Sequence, residues 1–322
     1  RVLIALSLVA GGARSVCAQM LDPATAEAFF DRAWAQTLSE GGAVPGAVIT
    51  VVQGRTVVLN KGYGVRDIAT GTPVDPDNTR VRIGSVSKLF TALTALALVD
   101  EGRLHLDRDV NDYLRDVPVP HSADDPVRVR AVLSHRGGFD TGYWGYASRS
   151  STDVALSPDA YQRRLLPGRD PDRAYGYDNL GVGLLGYLTG HVNGTSFARA
   201  VDAKVIRRLG PEKTTVGVPD WQAEHLAACH SWDASGQPVK CMAKFVREGY
   251  QAAGHVTTTG SDMARFMAAL LNGGCLDGTC VLRPETFRQF TDLDMNRLHP
   301  RALGMGFLIY EKDMGGREAL GH

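Results

Sequence analysis

The sequence has no surplus of charge of either sign. Its 35 Lys and Arg residues are matched by 35 Asp and Glu residues, so no net field draws the chain to nucleic acid or to an anionic membrane surface. It lacks a membrane-spanning run as well. The apolar stretch at residues 2–10 is about half of the roughly 20 residues that cross a bilayer. There is no internal repeat, no low-complexity tract and no block of like charge. A His-Glu-x-x-His pair, a phosphate-binding glycine loop and a dinucleotide fingerprint are all missing, so neither a metal nor a nucleotide cofactor is expected. What is left is an ordinary globular composition, 44% hydrophobic and 22% charged over 322 residues, enough for one large domain or two small ones.

Cysteine is scarce, at five residues, and where it falls is informative. "RVLIALSLVAGGARSVCAQM" opens on a basic residue, continues through an apolar run and places Val16 and Ala18 on either side of Cys17. That is the layout of a secretory signal peptide cleaved after Ala18, which predicts a secreted or periplasmic protein with a mature chain from residue 19. Four cysteines then remain, an even number for an oxidising compartment. In "CLDGTC" an Asp-Gly turn signal separates Cys275 from Cys280 and would bring them together. Cys229 and Cys241 form the second expected bridge by elimination. A zinc site built on Cys229, His230 and Cys241 fits no usual ligand spacing, and His225 and His230 add none.

The periodicity predicts an amphipathic helix over residues 23–40, capped by Asp22 and stopped at Gly41 and Gly42. Two β-branched runs around Gln53-Gly54-Arg55 predict a hairpin at 46–63. Further helices are expected from Ser85 to Gly102, in "DPVRVRAVLSH" up to Gly137, at 158–166, 179–192 and 196–208, and from a capping signal at Ser261 to Gly273. The aromatic-rich segment 139–151 reads as a loop walling a cleft. Residues 303–311 read as a strand. A lone hairpin is marginal in water, so the fold class is α/β (α+β): an antiparallel sheet built from both chain ends and flanked by helices. The α/β part spans about 19–66 and 250–322, and a mostly helical part spans about 67–249.

Chemistry enters at "RIGSVSKLFTALTALALVDEGRL" (82–104). Ser85 and Lys88 stand three residues apart at the head of a buried helix, where such positions share a face. A serine hydroxyl needs a base within reach to become a nucleophile. The other reading makes Ser85 a cap and Lys88 a solvated residue. About ninety residues on, "YDN" places Tyr177 and Asn179 before a glycine-rich apolar helix. A phenol beside an ammonium can carry a proton to and from a serine, and an amide can donate to and accept from a substrate amide.

The order Ser85-Val86-Ser87-Lys88, then Tyr177-Asp178-Asn179, resembles the serine β-lactamase and penicillin-binding-protein superfamily, with closer similarity to its class C branch and the esterase and D-Ala peptidase relatives. "VLSHRGGF" and "AAGHVTTTGSDMARF" resemble further segments of that branch. The resemblance runs from about Val44 to the last residue. It implies a β-lactamase-like fold and a hydrolase of amide or ester bonds acting through an acyl-enzyme. Ser85 would be the nucleophile, Lys88 its base, Tyr177 the proton carrier and Asn179 a substrate-orienting group. The Ser85 N–H would supply half of an oxyanion hole. Partners would be a small-molecule or peptidoglycan-like substrate, with no nucleic acid and no metal.

The family's third motif is Lys-Thr-Gly, or His-x-Gly in esterase-like relatives. His322 would be the first residue of the latter and a substrate-binding residue, so the remaining strands are expected to follow it. The arginine at position 1 implies that residues precede it too. His135 is expected to be structural, and His255, where the family usually has glycine, to face the cleft. A non-catalytic binding descendant of the fold would be expected to have lost one of Ser85, Lys88 or Tyr177, and all three are present.

Overall fold

The computed structural model describes residues 8–9, 20–39, 44–114, 118–121, 124–139, 147–148, 167–218, 224–240, 245–246, 248–294, 307–313 and 318–322. Helix α1 (Pro23–Ser39) starts where Asp22 accepts the Thr25 N–H at 2.9 Å, with proline in the first turn where its missing N–H costs nothing. Strands β2 (Gly46–Gln53) and β3 (Thr56–Asp67) pair antiparallel around a turn at Gly54, and β4 (Thr72–Pro73) extends that sheet. The hairpin therefore runs longer than its expected end at residue 63.

A second small sheet positions the chemistry. Its order is β5 (Val81–Arg82), β7 (Val256–Thr258), β6 (Thr215–Val216), with β7 central and antiparallel to both neighbours. Two of these strands, β5 and β6, lie inside the stretch expected to be mostly helical.

From β5 the chain passes through a short turn into α2 (Ser87–Asp100). Every residue of α2 from Ser87 to Leu98 is buried, as a helix that is apolar all round must be. Helix α3 (Val129–Leu133) ends short of the expected glycines, at Ser134. Helix α4 (Leu180–Asn193) stops at the left-handed Gly194. Its Gly186 permits close packing, because a Cβ there would stand 2.4 Å from that of Ala252 in α7 (Gln251–Gly254). Between them, α5 (Phe197–Val201) runs through a π turn into α6 (Arg207–Leu209).

Helix α8 (Gly260–Leu271) stacks Phe266 on Phe90 of α2 at 4.2 Å between ring centroids. Its cap is Thr259, which accepts the Asp262 N–H, and not Ser261. Ser261 is instead turned outward to the hairpin, accepting a hydrogen bond from Asn60. Helix α9 (Pro284–Thr291) closes the helical layer.

The strand expected at 303–311 is shifted. Phe307, Leu308 and Ile309 are fully buried, and Leu308 takes a left-handed φ of 55° that breaks the extended backbone. Residues 303–306 lie outside the described residues; among those described, strand β10 is Tyr310–Asp313 and pairs with β11 (Glu318–Gly321). Strand β1 (Leu8–Val9) pairs with the other edge of β11, so residues near both ends of this chain share the sheet. Among the described residues it does not pair with the β2–β3 hairpin, contrary to the single sheet expected.

Cys275 and Cys280 are disulfide-bonded across the β8 (Cys275–Leu276) and β9 (Thr279–Cys280) pair. Cys229 is also disulfide-bonded, while its expected partner Cys241 lies outside the described residues. So do the expected helix at 158–166 and all of the 139–151 loop except Phe139 and residues 147–148.

Candidate active site

Gly84 decides how the serine is presented. Its φ of 54° is left-handed, with nothing within 4 Å of where a Cβ would stand. The chain therefore turns sharply out of β5 into a 3₁₀ turn, Gly84–Val86, that precedes α2. Ser85 thus sits in this turn and not in the first turn of the α-helix. Val86 N–H donates to Ile83 and Ser87 N–H to Gly84, so the Ser85 N–H lies ahead of both, at the open end of the helix. Ser85 is exposed, while Lys88 is fully buried directly beneath it.

The three expected catalytic residues meet. Ser85 Oγ lies 2.7 Å from Tyr177 Oη. Lys88 Nζ donates to Tyr177 Oη at 2.7 Å and to Ser85 Oγ at 3.2 Å. Its third proton goes to the Ala253 carbonyl at 2.7 Å, so every donor of the ammonium has an acceptor. Ala253 is held in place from α2 itself: Thr91 donates to the adjacent Ala252 carbonyl, and Ser87 Oγ accepts the Val256 N–H. Burial pushes Lys88 down to about 7, opposed by the Asp178 carboxylate. A large fraction of the amine is then unprotonated at neutral pH, as a base requires.

Asn179 stands at the N-cap position of α4 but makes no side-chain cap bond. It is buried and lies two residues after Tyr177 in the chain. His322 accompanies the site, with its ring 6.3 Å from that of Tyr177 and its Nδ1 2.7 Å from the Leu308 carbonyl oxygen.

Three contributors were not marked in the sequence as part of this chemistry: the Ala253 carbonyl, the Asp178 carboxylate and His135. The first has no side-chain signature at all. His135 is buried as expected of a structural residue, but its ring lies on that of Tyr177 at 4.7 Å between centroids. His255, expected to face the cleft, is buried, and burial together with the Arg82 charge pushes it down to about 4. Among the described residues no cluster of His, Cys, Asp or Glu could hold a metal ion. A cavity of about 520 Å³ between β2, β5 and α8 is lined in part by Arg82 and Ile83, which precede Gly84 and Ser85 in the chain, but none of the three catalytic candidates lines it.

The Beta-lactamase family model matches residues 32–322. The chain belongs to the beta-lactamase family. It is 30% identical over 225 residues to a beta-lactamase of Providencia stuartii, covering 70% of this chain and 55% of that protein. It is 25% identical over 236 residues to protein flp of Staphylococcus aureus (strain COL), covering 72% of this chain and 46% of that one. The chain thus spans about half the length of the curated relatives it matches.

Solved structures show the same β-lactamase-like fold. The octameric penicillin-binding protein homologue from Pyrococcus abyssi superimposes with a TM-score of 0.74 at 23% identity, covering 94% of this chain and 68% of that one. EstCE1, a hydrolase with promiscuous acyltransferase activity, gives 0.71 at 18% identity, covering 89% and 83%. The class C beta lactamase from Rhodobacter sphaeroides gives 0.67 at 22% identity, covering 88% and 75%.

Proposed function

We propose that this chain carries the active site of a serine hydrolase that opens amide or ester bonds through an acyl-enzyme on Ser85. The observation that carries this reading is the closed triangle of Ser85, Tyr177 and Lys88, with an exposed hydroxyl above a buried amine of lowered basicity. A lysine kept only for solubility would not be placed without access to water.

In the acylation step Ser85 Oγ attacks the substrate carbonyl carbon, its proton passes to Tyr177 Oη, and the phenol proton of Tyr177 passes in turn to the unprotonated Lys88 amine. The Ser85 N–H, at the open start of the helix, faces developing negative charge favourably. Collapse of the tetrahedral intermediate breaks the C–N or C–O bond, and the leaving group takes a proton from Tyr177, which regains one from the Lys88 ammonium. Water then attacks the acyl-enzyme, loses a proton along the same path, and Ser85 regains it. Asn179, with its amide uncommitted to the helix cap, orients the substrate from the side.

The candidate substrates are a β-lactam, a D-Ala peptide and a carboxylic ester. His322, read as the first residue of a His-x-Gly motif, favours the ester and peptide classes. We also place the protein outside the cytoplasm, in keeping with the leader-like segment and the bonded cysteines. The test is intact-protein mass spectrometry after exposure to a penicillin and to an activated phosphonate. An adduct localised to Ser85 supports the reading, and the better probe narrows the class. A protein that takes up neither probe, or that reacts elsewhere, overturns it.

A further inference from the structure

His135 does more than fill space behind the site. It lies just past α3 with a left-handed φ of 54°, a conformation that costs a residue with a Cβ on the order of 1–2 kcal/mol. Such strain persists only where the surroundings hold it, and here what holds it is the backbone around Tyr177. The Gly176 N–H donates to the His135 carbonyl at 2.9 Å, and the Asp178 N–H lies 3.2 Å from Nδ1. These are the two residues flanking Tyr177. The imidazole then covers the Tyr177 ring at 4.7 Å, with 30° between the planes. One buried residue thus grips the tyrosine from both neighbouring peptides and from one face.

Asp178 completes the arrangement. It is buried, its carboxylate accepts the Gly181 N–H at the start of α4, and Oδ2 lies 3.4 Å from His135 Nδ1. Nδ1 serves either the Asp178 N–H or the Asp178 carboxylate, since one nitrogen cannot accept and donate at once. Burial holds His135 well below its ordinary range, against the opposing pull of Asp178, so the ring is neutral at pH 7. Asp178 is then the negative charge that offsets the ammonium of Lys88.

We propose that His135 and Asp178 act together as positioning residues that hold the Tyr177 phenol between Ser85 and Lys88. The proposal rests on the serine-hydrolase reading above and assigns these two residues a part in it. Neither touches the reacting atoms. Their effect is on the rate at which Ser85 is acylated, not on how tightly substrate binds.

Two variants at His135 separate positioning from bulk. His135→Gly accepts the left-handed φ without strain but removes the Nδ1 contact and the ring. His135→Asn also tolerates that φ and places an amide oxygen where Nδ1 stood. Stopped-flow labelling of Ser85 by a fluorescent phosphonate should slow at least 30-fold in His135→Gly, measured at a temperature where circular dichroism shows both proteins folded. His135→Asn should recover most of that loss. A well-folded His135→Gly that labels at the parental rate overturns the proposal, and so does a His135→Asn no better than the glycine variant.

Asp178→Asn keeps an acceptor for Gly181 and removes only the charge. Among the described residues the ionisable groups acting on Lys88 are Asp178 and Tyr177 before α4 and His135 after α3. From α7 comes the neutral Ala253 carbonyl. With the carboxylate gone, the acid limb of the labelling rate should move to lower pH by about one unit. An unmoved limb, or one moved upward, overturns the proposal. Ser85→Ala run alongside keeps the two readings apart: if it is labelled as fast as the parent, the serine-hydrolase reading fails and not merely the positioning.

Discussion

Replacing Lys88 by methionine should destroy activity and stabilise the fold at the same time. Methionine has nearly the length of the lysine stem and fills the same buried channel without a charge. The magnitude follows from the site. Lys88 falls from an ordinary 10.5 to about 7 on folding. At about 1.4 kcal/mol for each factor of ten in proton affinity, the folded state at pH 7 carries a penalty of about 4 kcal/mol. Against that, the variant leaves the Ala253 carbonyl without its donor, a loss of about 1–3 kcal/mol, while Tyr177 keeps Ser85. A net gain of about 1–3 kcal/mol is expected.

The pH dependence separates this from a packing effect. The folded-state value lies below the unfolded one. Between about pH 7 and 10.5 the unfolded chain therefore holds a proton that the folded chain has released, and parental stability rises across that window relative to the variant. The advantage of Lys88→Met should shrink by about 2 kcal/mol from pH 7 to pH 9. Urea unfolding of both proteins at the two pH values, by linear extrapolation, measures this. A variant less stable than its parent at pH 7, or a difference that stays constant to pH 9, would refute the claim that Lys88 is held there at a cost to stability.

Ser85→Ala should abolish turnover of a p-nitrophenyl ester or a chromogenic cephalosporin while leaving the circular dichroism spectrum and melting curve in place; residual parental turnover would remove Ser85 from the mechanism. Lys88→Ala and Tyr177→Phe should each lower kcat/KM by on the order of 100-fold, and the double variant should lose little more than the worse single one, because the two share one proton path. Gly84→Ala meets no steric obstacle but must hold φ near 54°. It should therefore lose about 1–2 kcal/mol of stability and acylate more slowly, as read by phosphonate labelling. Thiol titration of residues 19–322 in denaturant without reductant should find no free thiol, and two titrating groups would show that Cys229 and Cys241 are not joined.

Elements carried by local chemistry were legible in the sequence. Asp22 and Pro23 open α1, Gly54 makes the hairpin turn, and the apolar run after Lys88 becomes a buried helix. What failed depended on contacts far along the chain. Ser261 reads as a cap from its neighbours, but Asn60 and Asp77 of distant segments engage its hydroxyl, and Thr259 takes the helix end. The strand at 303–311 has a continuous apolar pattern, and that pattern is the signature of burial whatever the backbone does. Residues 307–309 are buried around a left-handed Leu308 and are not extended.

The site divides along the same line. In the proposed function Ser85, Lys88 and Tyr177 act through their side chains, and side-chain identity at a recognisable spacing is what a sequence displays. What sets their properties is not displayed there. In the proposed mechanism Lys88 serves as the base because burial of α2 lowers its proton affinity, while Ala253, a residue with no functional group, turns its carbonyl toward the amine and holds it in place. Asp178 reads as a spacer between Tyr177 and Asn179, yet it is the charge that keeps Lys88 from falling further. His135 sits 42 residues before Tyr177 and meets it only because α3 delivers its own end to the entrance of α4. A chain with the same Ser-x-x-Lys and Tyr-x-Asn but a solvated lysine would carry the motif and lack the base. Burial of Lys88, and not the motif alone, is therefore the property that the catalytic reading stands on.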